Sequence, residues 1–160
     1  MIFFDDVCKT YQTGTEAVKH TTLHIEKGEF AFIVGPSGCG KSTLMKMLLK
    51  EVEPTSGSIY INGKDITQLT KKQVPFLRRK MGIVFQDFRL LPDKTVYENV
   101  AYAMRVIEAS PKMIKKQVPN VLALVGLLKK AKMYPDELSG GEQQRVAVAR
   151  AIVNNPMMLI

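Results

Sequence analysis

The chain has 160 residues, 46% of them hydrophobic and 24% charged, and its 23 Lys and Arg outweigh 15 Asp and Glu for a formal charge of +8. That balance suits one globular domain with a sizeable core, and no apolar run approaches the ~18 residues needed to span a bilayer. Met1 to Asp6 lacks the basic start and apolar centre of a signal peptide, and two cysteines, Cys8 and Cys39, imply no disulfide framework, so a cytoplasmic chain is expected.

Residues 1–30 predict strands and turns. Ile2-Phe3-Phe4 is followed by a polar turn at Gly14 and by Thr22-Leu23-His24-Ile25 in alternation. His24 falls on the polar phase of that alternation, and His20 is read as a surface residue. Phe30-Ala31-Phe32-Ile33-Val34 is an unbroken apolar run, the pattern of a parallel strand buried on both faces. Gly35-Pro36-Ser37-Gly38-Cys39-Gly40-Lys41-Ser42 follows directly, a complete G-x-x-x-x-G-K-S phosphate loop. Lys41 to Lys50 then predicts a helix, with Leu44, Met47 and Leu48 at helical spacing.

The physical sense of that loop is anion binding. Its glycines let backbone N–H groups curl inward around phosphate oxygens. Lys41 supplies a mobile cation for the β- and γ-phosphates, the Ser42 hydroxyl a ligand for Mg²⁺, and the helix N-terminus a favourable dipole. Cys39 occupies a variable position and reads as a small side chain without chemistry. Pro36, Ser37 and Thr43 complete the expected nucleotide-binding segment, residues 35–43.

Gly57 to Gly63 predicts a strand ending in an Asn62-Gly63 turn. Lys71 to Arg79 predicts a short basic helix with Pro75 in its first turn, and Met81 to Phe85 a second buried strand. From Val96 to Lys132 the pattern is helical, punctuated at Pro111, Pro119 and Gly126. A helix is predicted over 143–153, stopped by Asn154-Asn155-Pro156, and Met157-Met158-Leu159-Ile160 begins an apolar strand. The positive excess gathers at 71–80 and at Lys112, Lys115, Lys116, Lys129, Lys130 and Lys132. Solvated helix faces account for such runs; attraction to an anionic membrane surface or to an acidic partner is the functional alternative. Nucleic acid is not expected, because no aromatic residues interleave with the basic run at 112–132.

A second phosphate-reading segment is Leu138-Ser139-Gly140-Gly141-Glu142. Ser139 and Glu142 fit a capping box, an ordinary helix start. The paired glycines are poor helix residues that a cap does not require, whereas bare N–H groups at a helix N-terminus suit a γ-phosphate.

The whole string 138–145, Leu-Ser-Gly-Gly-Glu-Gln-Gln-Arg, together with the phosphate loop, resembles the signature of ABC ATPases. That resemblance implies further roles. Tyr11 matches the aromatic residue that stacks on adenine, a strand-end core tyrosine being the alternative. Gln86 matches the glutamine that reaches Mg²⁺ and the attacking water, and Pro156 the proline ahead of the Walker B strand. The implied fold is an α/β P-loop NTPase, an ABC nucleotide-binding domain with a parallel core sheet, an antiparallel β layer and a helical subdomain. Residues 1–87 and 139–160 make the core with its β layer, and 88–138 the helical subdomain.

The segments 74–91 and 93–100 resemble, more narrowly, the FtsE family of bacterial cell-division ATP-binding proteins. That likeness implies an ATPase using ATP and Mg²⁺. It implies a homodimer with two ATP at the interface, Ser139, Gly140, Gly141 and Glu142 acting in trans, and an FtsX-like multi-pass membrane partner. Its place would be the cytoplasmic side of the cell membrane at the division septum, where it promotes peptidoglycan hydrolase activity. The alternatives are the ATPase of a lipoprotein, peptide or drug exporter, and a ribosome- or DNA-acting ABC protein; too few residues separate Lys41 from Leu138 for the long arm of the DNA-maintenance type. The family's Walker B Asp and catalytic Glu fall beyond residue 160, so the chain is expected to be a C-terminally truncated piece that is inactive alone.

Overall fold

Strand β1 (Ile2–Thr10) buries Ile2 and Phe4 on one face, as alternation requires, and then Val7 rather than residue 6. The phase changes at a bulge. Phe4 faces Leu23 and Val7 faces Thr21, so β1 carries one extra residue there, and Asp6 sits at φ 46° to absorb it. β1 is the central strand of an antiparallel sheet in which β2 (Glu16–Ile25), β1, β3 (Ser56–Ile61) and β4 (Lys64–Asp65) follow one another in space. Asn62 and Gly63, both at positive φ, make the two-residue turn from β3 to β4. Phe4, Val7, Ile59, Ile61 and Ile66 are buried in this part of the chain, as are Met47 and Leu48 of helix α1 (Lys41–Leu48).

The structure, a computed structural model, describes residues 1–160 and divides into two compact units, Met1–Val74 and Pro75–Ile160. The division drawn from the sequence lay at 87/88 and 138/139.

The boundary of the second unit falls in the first turn of helix α2 (Val74–Arg78), which holds Pro75. Strand β5 (Met81–Gly82) pairs in parallel with β6 (Met158–Leu159), and flanking bonds from Val84 N–H to the Ile160 carbonyl and from Met157 N–H to the Lys80 carbonyl lengthen the ladder. Three helices supply its core. α3 (Val96–Val106) starts with a Thr95–Glu98 capping box, and α4 (Pro111–Leu124) with Ser110 as its cap. α5 (Gly140–Ile152) starts at Ser139. Val100, Met104, Val118, Leu122 and Val146 interlock between them. Gly126, at φ 73°, ends α4: its N–H returns to the Ala123 carbonyl and that of Leu127 to the Leu122 carbonyl.

Two expectations are corrected. Pro119 does not interrupt the helical run but lies inside α4. The run 30–34 is not a buried strand: Phe30, Phe32 and Val34 are 81%, 79% and 84% exposed, and the segment carries no strand pairing. A parallel strand is held by partners along its edges. Here β1 to β4 pair with one another and β5 with β6, leaving none for 30–34. Phe30 and Phe32 pack only edge to face on each other, their centroids 4.8 Å apart.

Asn99 clasps the chain that leads into α3. Fully buried, its amide oxygen accepts the Leu91 N–H at 2.8 Å while its nitrogen donates to the carbonyls of Leu91, Lys94 and Thr95. Asn99→Ala strips these groups of partners in a closed site and is expected to cost about 3 kcal/mol; a urea unfolding midpoint unchanged from the parent protein would contradict the clasp.

Candidate functional site

The phosphate loop and helix α1 lie in the first unit. Gly40 is the N-cap of α1 at φ 91°, and a Cβ there would stand 2.2 Å from the Ala17 carbonyl oxygen. Strand β2 thus forces glycine at this position twice over, by conformation and by contact. Ser42 lies exposed in the first turn of α1, and Thr43 behind it is buried. The Lys41 ammonium folds back onto the loop, donating to the carbonyls of Gly35 at 2.8 Å and Pro36 at 2.7 Å, with the Cys39 sulfur at 3.6 Å. The loop therefore holds a cation over its own mouth, on contacts that an incoming anion can replace. The exposed Ser42 hydroxyl beside it is a hard oxygen donor, so the residues present fit a Mg²⁺–triphosphate.

Tyr11 belongs to the same unit. Its hydroxyl bonds to the Thr43 hydroxyl at 3.2 Å, which ties the end of β1 to the residue after Ser42, and Lys9 lies over its ring at 5.4 Å. The ring is half-buried, and it stands at the phosphate-loop helix rather than within the hydrophobic core.

The second segment lies in the other unit. Ser139 is the N-cap of α5, and its hydroxyl accepts the Glu142 N–H. Glu142 answers by accepting the Ser139 N–H and hydroxyl on one carboxylate oxygen, each at 3.0 Å. Gln143 pins the approach to this helix by donating to the carbonyls of Pro135 and Leu138. Gly140 and Gly141 are exposed, have no positive φ, and a Cβ on either would meet nothing within 4 Å. Neither backbone conformation nor internal packing requires them. Gln86 follows the ladder of β5 in an exposed turn.

Several residues escaped the sequence reading. Asn99 lay within a segment singled out only for its likeness. Lys130 belongs to the basic stretch read as a solvated face or an anion-attracting surface, yet its ammonium lies 2.5 Å from the second carboxylate oxygen of Glu142. Arg150 donates to the carbonyls of Arg89 and Phe88, fixing two residues at positive φ just past Gln86. Lys130 and Arg150 have no local sequence signal because their partners are distant in the chain, and Asn99 has none because its partners are backbone groups of an irregular segment.

The Lys130 ammonium first, and then the Ser139 amide and hydroxyl, pull the Glu142 carboxyl down to about 2 from 4.5. A depressed carboxyl stabilises the fold fully above its ordinary range, and that stabilisation is lost as pH falls from about 4.5 toward 2. An NMR titration should place the Glu142 midpoint near the bottom of that window, and Lys130→Met should move it upward. A midpoint equal in both proteins would remove Lys130 from the account.

The model of the ABC transporter family matches residues 18–160. The chain is 54% identical over its whole length to the cell division ATP-binding protein FtsE of Bacillus subtilis and spans 70% of that protein. It is 49% identical over its whole length to the protein of that name in Escherichia coli K12, spanning 72% of it. A dimeric ATP-binding cassette solved in a post-hydrolysis state with ADP and Pi superposes with a TM-score of 0.89 at 38% identity, covering 99% of this chain and 72% of that one. Phosphate loop, capped glycine pair, fold and relatives agree: the chain belongs to the ABC transporter family, as an ATP-binding and ATP-hydrolysing cassette of the FtsE type.

Proposed function

We propose that the protein is the ATPase subunit of an FtsE/FtsX-type membrane complex acting in cell division, and that it works as a homodimer closed by two ATP. The observation that carries the dimer is the exposed pair Gly140 and Gly141. Two glycines at a helix start, unneeded by the fold, leave N–H groups bare for a close external approach. The solved cassette that is dimeric supports the same reading.

In this scheme residues 35–43 hold the triphosphate and Tyr11 stacks on adenine. Lys41 leaves the Gly35 and Pro36 carbonyls for the β- and γ-phosphates, and the Ser42 hydroxyl would hold Mg²⁺. The metal, when bound, offsets charge that develops on the phosphates. Ser139, Gly140 and Gly141 face the γ-phosphate held by the other subunit, and two-fold symmetry makes two such sites. Loss of the γ-phosphate removes the contact, and the dimer opens.

The membrane partner is assigned to a groove of about 340 Å³ in the second unit. Tyr102 and Val106 of α3 and Ile107 just after it give it an apolar wall, and Arg78, Arg79 and Arg89 a cationic rim. Such a groove fits an amphipathic cytoplasmic helix of a multi-pass, FtsX-like protein at the inner face of the cell membrane, and so at the septum. The residues 88–138 then act as the helical subdomain that reports on the partner.

Gly140→Asp introduces a carboxylate with space to sit, so folding and monomer ATP binding should persist. Dimerisation with a non-hydrolysable ATP analogue should weaken by about a hundredfold or more through like-charge repulsion. A Gly140→Asp protein that still dimerises in sedimentation would leave 139–142 as an ordinary helix cap. Cysteines at 89 and 91 should crosslink in cells to a multi-pass membrane protein; capture of ribosomal proteins or DNA instead would reverse the assignment of the groove.

A further inference from the structure

The capping box that exposes the glycine pair has an electrostatic flaw. Glu142 stands in the first turn of α5, and its carboxylate repels any anion brought to the amides of Gly140 and Gly141. The fold supplies an answer. One carboxylate oxygen is engaged by Ser139, and the other meets Lys130 at 2.5 Å, with Arg145 at 4.0 Å as a looser second cation. The Glu142 side chain is 17% exposed in this pairing.

Lys130 is delivered there by a fixed stretch of backbone. The Gly126 turn drops Leu127 into the helical core, where it is 1% exposed. The 3₁₀ turn Leu128–Lys130 hangs from it, with the Lys130 N–H on the Leu127 carbonyl. The next residues are held to the start of α3 by bonds from Tyr97 N–H to the Ala131 carbonyl and from Val96 N–H to the Met133 carbonyl. Lys129 and Lys132, its neighbours in the basic stretch, form no ion pair.

We infer that Lys130 is a positioning residue for the ATP-dependent closure: by pairing with Glu142 it fixes the capping box and cancels the charge that would repel phosphate from the N-terminus of α5. The inference rests on the reading of 139–142 as phosphate-facing. Lys130 itself touches no nucleotide; it acts through Glu142.

The test is a charge cycle in the full-length protein, read as dimerisation with a non-hydrolysable ATP analogue by sedimentation, with monomer ATP binding and urea midpoint measured in parallel. Lys130→Met keeps the aliphatic stem and removes the charge, and should weaken dimerisation roughly tenfold with monomer binding unchanged. Lys130→Arg should restore it. Glu142→Gln retains an acceptor for the Ser139 N–H without the charge. It should make Lys130 dispensable, bringing the Lys130→Met/Glu142→Gln protein to within about twofold of Glu142→Gln alone. Parent-like dimerisation of Lys130→Met overturns the inference. So does a double variant no better than Lys130→Met, which would make Lys130 a packing residue. Lys129→Ala serves as the charge control and should be silent. If Gly140→Asp dimerises normally, the phosphate-facing reading fails first; if it does not, and Lys130→Met is still silent, only the role of Lys130 falls.

Discussion

Phosphate is held by amide N–H groups that nothing else is using, and the first turn of a helix is where a folded chain has them to spare. Two helix starts in this chain keep such amides bare, by different means. In the first unit the device is conformational: Gly40 stands at φ 91° against the Ala17 carbonyl, and the chain enters α1 through a position no side chain could occupy. In the second unit it is subtractive. Gly140 and Gly141 sit in open space, where the fold would accept larger residues, and only the missing side chains make the helix start approachable. The same residue type therefore does two physically different tasks in one chain.

Charge has to be arranged to suit. Around α1 a lysine rests on the carbonyls of its own loop, which hold the cation there without burying it. Around α5 the capping glutamate brings the wrong sign and is balanced by Lys130. Just past Gln86, two left-handed residues, Phe88 and Arg89, would be a weak point in the backbone were their carbonyls not gripped by Arg150 from α5. The guanidinium links the end of that helix to the rim of the groove, so a displacement of either has a short, hydrogen-bonded route to the other. Arg89 in turn stacks on Phe85 with 4.1 Å between guanidinium carbon and ring centre.

Much of this was written locally in the sequence. The phosphate loop, the Ser139–Glu142 box and the Asn62-Gly63 turn each complete their physics within a few residues, and each is where the sequence placed it. What could not be read needs the packed structure. The grip of Arg150 and the pairing of Lys130 join distant positions whose proximity only the packed helices create, and the clasp of Asn99 depends on how the irregular segment before α3 folds back over it. The run 30–34 shows the same limit from the other side. Its composition is right for a buried strand, but composition specifies a preference and pairing specifies the structure. Pro119 lies within α4 because the helix is held by a buried face, Ile114, Val118 and Leu122, that outweighs one missing N–H.

The exposed run Phe30 to Val34 leads straight into the loop that holds Lys41. Any strand that pairs with it would draw the entry to Gly35 into a fixed direction and narrow the range of shapes the loop can take. Linkage makes that effect mutual. Nucleotide in the loop would favour the paired form of the strand, and pairing would raise affinity for nucleotide, by the same factor. Pairing of that run and occupation of the phosphate loop would then be two sides of one linkage, felt at Gly35.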